Sequence, residues 1–284
     1  MKIVTQDYGC GTSSSILDYG IEDVVIVSPS EYDHVFDIED DLFFVGHDFL
    51  FFLWNTAEKV DRWKNHKHRK VVWCFERIDA IVPQWKAKGE YSLSMLKNFV
   101  DQIYVCDEDD ALVYGDWLPQ WASRKFYDMK DIRPNIQNKY LFSGQAGKPE
   151  YGIRTQFLNA IFLDEQLKDY FQITNFSRKL SWENYCRNLL NYEGVFNPVG
   201  ILRGFNTRTY EVMYSGRKLL QQTFGKYSNH EKLLEGHDNV ILFETFDEMK
   251  AKILESDNVS SNADRFFMDN NIYARFKSIG VEIK

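Results

Sequence analysis

The sequence predicts an α/β protein of two halves, each a doubly wound parallel sheet, facing each other across a cleft. Three observations predict it. The chain has 284 residues, about two average domains by length. Short apolar runs bounded by polar or turn residues alternate with helical patterns in both halves, as buried parallel strands and crossover helices do. The rhythm breaks once, around Trp117 to Asn138, where "DWLPQWASRKFYDMKDIRPNIQNK" carries two prolines and no clear period. These features divide the chain into residues 1–138, a Rossmann-like domain with its linker, and 139–284, a second Rossmann-like domain. In such folds ligands bind at the carboxyl ends of the strands.

In the first half the strands are "KIVTQ", "DVVIVS", "LFFVG", "KVVWCF" and "QIYVCD". Helical patterns sit between them in "WNTAEKVDRWKNH" and "YSLSMLKNFV". The second half reads strand "YLFSG", helix "RTQFLNAIFLDE", strand "FQITNF", helix "SWENYCRNLL" and strand "GVFNPV". Helix "TRTYEVMYS", strands "KLLQQT" and "VILFE", and helix "FDEMKAKILES" complete it. No short repeat of fixed period is present.

Composition excludes several classes. Apolar residues make up 44% and charged residues 27%, with 22 Phe and 16 Tyr; this is a globular composition with an aromatic-rich core, not a disordered one. The four cysteines, Cys10, Cys74, Cys106 and Cys186, form no metal-ligand spacing, and Cys74 and Cys106, inside apolar runs, read as buried thiols. The start "MKIVTQDYG" enters a strand at once and is not a signal peptide. The most apolar stretch, "DLFFVGHDFLFFLW", is too short and interrupted to span a membrane. A reducing, cytoplasmic compartment is expected. The net charge of −8 does not favour duplex DNA as a partner. The one dense basic run, Arg62 to Lys70, reads as a solvated helix end, although it offers a local basic edge.

The chemistry concentrates in the second half. In "FNTRTYEVMYSGRKLL", Asn206 or Thr207 caps a short helix and Gly216 ends it. Arg208 lies in the first turn, and Glu211, three residues on, projects from the same face. A helix start attracts phosphate, Arg208 adds a planar cationic fork, and Glu211 suits the paired hydroxyls of a ribose. The competing reading is an ion pair on a surface helix. In "YLFSGQAGKPEYGIRTQFLNAIF" a strand leads into a loop with Gly144, Gly147 and Gly152, and Arg154 then opens a helix. Glycines let backbone approach a ligand closely, or simply mark a long turn. Between these segments, "YEGVFNPVG" is a strand that ends in Asn197 and Pro198.

In their order these pieces resemble the nucleotide-sugar-binding half of GT-B glycosyltransferases, in particular the CgeB-like, or glycosyl transferase group 1, type. The pieces are "LFSG", "YGIR" (Tyr151 to Arg154), "FNP" with Asn197, "RTYEVMYSG" (Arg208 to Gly216), "KLLQQT" and "ILFETFDEM". The likeness covers roughly Tyr140 to Leu254. It implies a nucleotide-diphosphate sugar as donor, with Glu211 on the ribose, Arg208 and Arg154 on the diphosphate, and Gly144 and Asn197 in the same site. It also implies that helix dipoles and basic side chains, not a bound metal, hold the diphosphate, and that no cofactor is needed.

The first half would hold the hydroxyl acceptor, a saccharide or another alcohol. Phage DNA glucosyltransferases share the plan more distantly and place a base just after a strand of this half. Here "KVVWCFERIDAIVPQW" offers Glu76 and Asp79 as the general base that an inverting transfer needs. "VGHD" offers His47 and Asp48 as a base with its orienter. The loop Asp7 to Ser15 lacks a dinucleotide fingerprint and reads as a turn and helix cap. "DEDD", Asp107 to Asp110, reads as a solvated helix start rather than a cation site. Two alternatives stay open: a glycosyltransferase acting on hydroxymethylated bases of DNA, and a sugar-nucleotide-binding protein without catalysis.

Overall fold

The strands predicted from apolar runs form two separate sheets in the computed structural model. It describes residues 1–6, 12–28, 32–46, 56–75, 77–78, 96–132, 136–174, 181–200, 204–223, 225, 228–255 and 261–284. The first sheet contains β1 (Lys2–Thr5), β2 (Val24–Ile26), β3 (Leu42–Val45), β4 (Lys70–Cys74), β5 (Gln102–Val105) and β6 (Asp116–Trp117), in the order β2-β1-β3-β4-β5-β6. The second contains β7 (Gln137–Phe142), β8 (Phe171–Ile173), β9 (Tyr192–Asn197), β10 (Lys218–Gln222) and β11 (Val240–Phe243), in the order β11-β10-β9-β7-β8. Every pairing between them is parallel. Parallel neighbours need crossovers, which is why helical patterns separate the apolar runs.

The chain divides into two units, Met1–Gln120 with Arg275–Lys284, and Trp121–Ala274. The sequence places the boundary at 138/139 instead. The difference lies in the segment expected to be an irregular connection. It contains β6 and the helix Arg124–Asp128, capped by Ser123, and its apolar side chains Trp121 and Phe126 are fully buried. Phe126 meets Tyr185 at 6.2 Å between ring centres, and Tyr127 stacks on Phe267 at 3.9 Å. Prolines and polar residues masked a segment that packs through a few aromatics.

In unit 1 the helix α1 (Ala57–Asn65) begins at Thr56, whose hydroxyl accepts from the Lys59 N–H at 3.2 Å. Its Val60 and Trp63 enter a core with Val4, Leu42, Phe44, Val72 and Val105. The basic run covers the last turn of this helix and continues to the first residue of β4. Arg62 pairs with Asp37 and lies over the Phe36 ring, Lys64 lies over Phe99, and Lys70 is buried and donates to the His66 carbonyl. The "DEDD" run does start a short helix, α2 (Glu108–Ala111), with Asp107 capping the Asp109 N–H at 2.9 Å. Its ends are not solvated, however: Asp107 and Asp110 are each 1% exposed. Asp110 is drawn inward because its carboxylate accepts from the buried Ile78 N–H at 2.6 Å. The C-terminal segment completes this unit, with Phe276 4.9 Å from the Phe43 ring. Cys74 and Cys106 are buried, as expected, and Cys186 is a third buried cysteine, in unit 2.

Unit 2 contains α3 (Arg124–Asp128), α4 (Gly152–Leu163), α5 (Trp182–Leu190), α6 (Thr207–Tyr214), α7 (Ser228–Leu234), α8 (Phe246–Glu255) and α9 (Ala263–Asn270). The helix Ile272–Ser278 follows as α10. α7, α9 and α10 were not foreseen. The core of unit 2 is aromatic, with Phe142, Phe157, Phe171, Phe196 and Phe243 packed at centroid distances of 5.4–6.2 Å. Five of the 22 phenylalanines of the chain lie in this cluster. Among the described residues, no helix is long and apolar enough to cross a membrane.

The order of the second sheet marks where folds of this kind open a crevice. Taken in chain order, its five strands run second-first-third-fourth-fifth across the sheet, and in such sheets the crevice opens where the order reverses. In unit 2 that point lies between β7 and β9, at their carboxyl ends.

Candidate functional site

The chain leaves β7 at Phe142 and passes through Ser143 and Gly144 toward α4; it leaves β9 at Asn197 and passes through Pro198 and Gly200 toward α6. The two exits are neighbours because β7 and β9 are paired. All five donor-side residues expected from the sequence, Gly144, Arg154, Asn197, Arg208 and Glu211, belong to these exits or to the helices that follow.

Asn206 caps α6: its side chain accepts from the Arg208 N–H at 3.0 Å. The cap is itself anchored. The Asn197 amide donates to Asn206 at 3.2 Å, to Thr209 at 3.2 Å and to Gln221 at 2.8 Å. Thr209 donates to Gln221 at 2.9 Å. Asn197 is 1% exposed. Its polar groups therefore face this network, which ties the end of β9 to the first turn of α6 and to β10. Behind α6, Tyr210 and Tyr214 pack on Phe266, and the Tyr214 hydroxyl donates to the Asn270 carbonyl at 2.8 Å.

With α6 held this way, Arg208 and Glu211 are not a surface ion pair. Glu211 is 5% exposed, and the group between it and Arg208 is Tyr185 of α5. The Tyr185 hydroxyl donates to Glu211 Oε2 and accepts from Arg208 Nε at 3.3 Å. Burial pushes the Glu211 carboxyl above its ordinary range, against the pull of Arg208 and the Tyr185 hydrogen bond. Burial likewise pushes the Tyr185 phenol up, with the nearby Glu211 charge adding to it. For Arg208 burial acts downward, but Tyr185 and Glu211 outweigh it and raise its pKa.

Arg154, in the first turn of α4, is 8% exposed. Its Nε donates to the Pro198 carbonyl at 3.1 Å and its Nη1 to the Gln145 carbonyl at 3.4 Å. These bonds aim the guanidinium across the β7–β9 gap. Gly200 makes room for it, and Gly144 lies close to both guanidiniums, most tightly to that of Arg208. A Cβ on Gly200 would stand 2.4 Å from Arg154 Nη2, closer than any real contact. A Cβ on Gly144 would stand 3.1 Å from Arg208 Nη1 and 3.7 Å from Arg154 Nη1. Both guanidiniums thus converge on Gly144. Among the described residues neither forms an ion pair with a carboxylate. Burial, then repulsion from Arg208, lowers the Arg154 pKa to about 10, and it stays cationic at neutral pH.

Two facing cations at the carboxyl edge of a parallel sheet form a seat for an anion with more than one oxygen. The buried carboxylate one turn into α6 is an acceptor for neutral hydroxyls. Tyr185, Gly200 and the Asn206–Thr209–Gln221 network were not foreseen as parts of this arrangement. Only Asn206 left a signal, as a cap. The acceptor-side candidates Glu76, Asp79, His47 and Asp48 lie outside the described residues. They follow β4 and β3 in the chain, two strands that are parallel neighbours. Among the described residues no group of three or more metal-ligating side chains occurs.

No family model and no curated protein matches the chain. Among solved structures it is similar to AviGT4, described as a glycosyltransferase involved in avilamycin A biosynthesis. The match has a TM-score of 0.52 at 10% identity and covers 99% of this chain and 96% of that one. MurG of Acinetobacter baumannii aligns over 80% of this chain and 67% of its own, with a TM-score of 0.38 and 9% identity. The likeness to AviGT4 agrees with the sheet orders above: the fold is α/β of the GT-B kind, with two Rossmann-like units.

Proposed function

We propose that the protein is a GT-B glycosyltransferase that moves a sugar from a nucleotide-diphosphate sugar to a hydroxyl acceptor. The observation that carries this reading is the convergence of Arg154 and Arg208 on Gly144, beside the buried Glu211. A diphosphate fits between the guanidiniums, and the ribose hydroxyls fit the carboxylate. In the transfer, the bond from the sugar's anomeric carbon to the diphosphate oxygen breaks. A bond from that carbon to the acceptor oxygen forms, and the acceptor proton passes to a base. Arg154 and Arg208 stabilise the negative charge on the leaving diphosphate, a contribution that is often the largest catalytic one. With two cations there, no metal ion or resident cofactor is required.

Glu76 is proposed as the base of an inverting transfer, with Asp79 and the His47–Asp48 pair as substitutes, because each follows a strand end of unit 1. A saccharide or other alcohol is the acceptor class. DNA is disfavoured: the net charge is −8, and several cations of the Arg62 to Lys70 run are engaged within unit 1. A cytoplasmic location remains part of the proposal.

The test is a thermal-shift screen with nucleoside diphosphates and their sugars, since a ligand of the folded state raises the melting temperature. Transfer to simple glycoside acceptors is then followed by release of the nucleoside diphosphate. Arg154→Ala and Arg208→Ala are each expected to weaken diphosphates more than the parent nucleoside. Equal losses for both would remove the arginines from this role. Binding with neither transfer nor hydrolysis would make the protein a non-catalytic sugar-nucleotide binder.

A further inference from the structure

Tyr185 belongs to no element of the sequence pattern that led to the donor site, yet it occupies the centre of that site. It sits on the first turn of α5, which Ser181 starts by accepting from the Asn184 N–H at 3.3 Å. Its ring lies edge-on to Phe126 and 5.9 Å under the Arg208 guanidinium. Its hydroxyl takes a hydrogen bond from Arg208 Nε and gives one to Glu211 Oε2. A phenol that accepts from a cation is polarised into a better donor to a carboxylate. The consequence for Glu211 is geometric: Oε2 is committed to Tyr185, so Oε1 is the oxygen available to a ligand.

Resting on the donor reading above, we propose that Tyr185 is a positioning residue of the nucleotide site. Its hydroxyl holds Glu211 ionised and turned so that Oε1 meets the ribose, and links that carboxylate to the arginine that meets the diphosphate. The pairing has a chemical purpose. Glu211 is buried where burial favours the neutral acid, and a neutral acid accepts ribose hydrogen bonds poorly. The Arg208–Tyr185 pair keeps the site charged without an ion pair that would use up the guanidinium fork.

The experiment is calorimetry across about pH 5 to 9 with ADP, GDP, UDP, CDP and TDP, and then with the 2′,3′-dideoxy form of the preferred one. In the wild type, the ribose form is preferred and its affinity falls toward acid as Glu211 protonates. Tyr185→Phe keeps the ring and its packing but removes the donor to the carboxylate. The acid limb is expected to move to higher pH, with affinity at the acid end about tenfold lower and a smaller loss at the alkaline end. In a Glu211→Gln background, Tyr185→Phe is expected to leave the pH profile unchanged, because the titrating group is gone. Replacement of Tyr185 by 3-fluorotyrosine, a stronger donor of nearly the same shape, moves the limb the other way and supplies the answer if the phenylalanine variant is unstable. An acid limb identical in wild type and in every Tyr185 variant overturns the proposal while leaving the donor site standing. A wild type that binds none of the diphosphates, or prefers none to its dideoxy form, overturns the ribose assignment of Glu211 and this proposal with it.

Discussion

Gly200→Ala isolates the work of one guanidinium without touching it. A Cβ at this position would lie 2.4 Å from Arg154 Nη2, 2.7 Å from Cζ and 3.2 Å from Nε. The first two are impossible distances, so something must move. The clashing atoms are the far end of a flexible side chain, so Arg154 swings away rather than the backbone. The swing breaks the bond from Nε to the Pro198 carbonyl, worth about 1.5–3 kcal/mol for a charged donor. Alanine in place of glycine returns about 0.4–1 kcal/mol by restricting the unfolded chain. The net loss of stability is then about 1–2 kcal/mol, a fall of a few degrees in melting temperature for a unit of this size. Diphosphate affinity is expected to fall by about ten- to a hundredfold, the loss of one charged hydrogen-bonding partner. Affinity for the nucleoside is expected to stay unchanged. Calorimetry with the preferred nucleoside diphosphate and its nucleoside measures both, and a urea melt measures the stability. The decisive control is the Arg154→Ala background, where Gly200→Ala has no guanidinium to displace and is expected to add nothing. A full additional loss of affinity in that background would refute the reasoning.

Glu211→Ala is expected to weaken nucleoside diphosphates by roughly ten- to a hundredfold and to abolish discrimination against the dideoxy form; unchanged calorimetric affinity would remove the ribose role. Because the folded-state carboxyl is raised above its ordinary range, its ionisation is completed only at higher pH than for a free glutamate. Ribose affinity is therefore expected to climb with pH through that raised range, and a profile flat across mild acid would contradict it. Asn197→Ala leaves Gln221, Thr209 and Asn206 short of a buried partner, and a urea melt is expected to show a loss of about 1–3 kcal/mol. Weaker nucleotide binding without that loss would mean that Asn197 touches the ligand. Glu76→Gln is expected to slow transfer by about 10²–10⁴-fold with donor affinity nearly unchanged; near-normal turnover would shift the role of base to Asp79 or to His47 and Asp48.

The amino-acid sequence by itself determined the repeating strand–helix order and the class of the two sheets. Buried parallel strands are short apolar runs, and that signal is local. It also located the chain segments that meet at the carboxyl edge of the second sheet, because a glycine after a strand and a capped, charged first turn after another strand are local patterns too. It did not determine which neighbours those segments would have. The register that puts β7 beside β9 brings Gly144 to Arg208 across 64 residues and Tyr185 to Glu211 across 26, and no spacing rule reaches that far. Burial reversed the surface-pair reading of Arg208 and Glu211, and showed Asn197 holding a helix start through Asn206, Thr209 and Gln221. It also drew Asp107 and Asp110 inside to serve backbone N–H groups. The segment around Phe126 and the helices α9 and α10 escaped the reading for a related reason. They are short and held mainly by a few aromatic contacts, Tyr127 on Phe267 and Phe276 on Phe43 among them. Helices of this length gain most of their stability from packing rather than from their own sequence, so only the tertiary structure could reveal them.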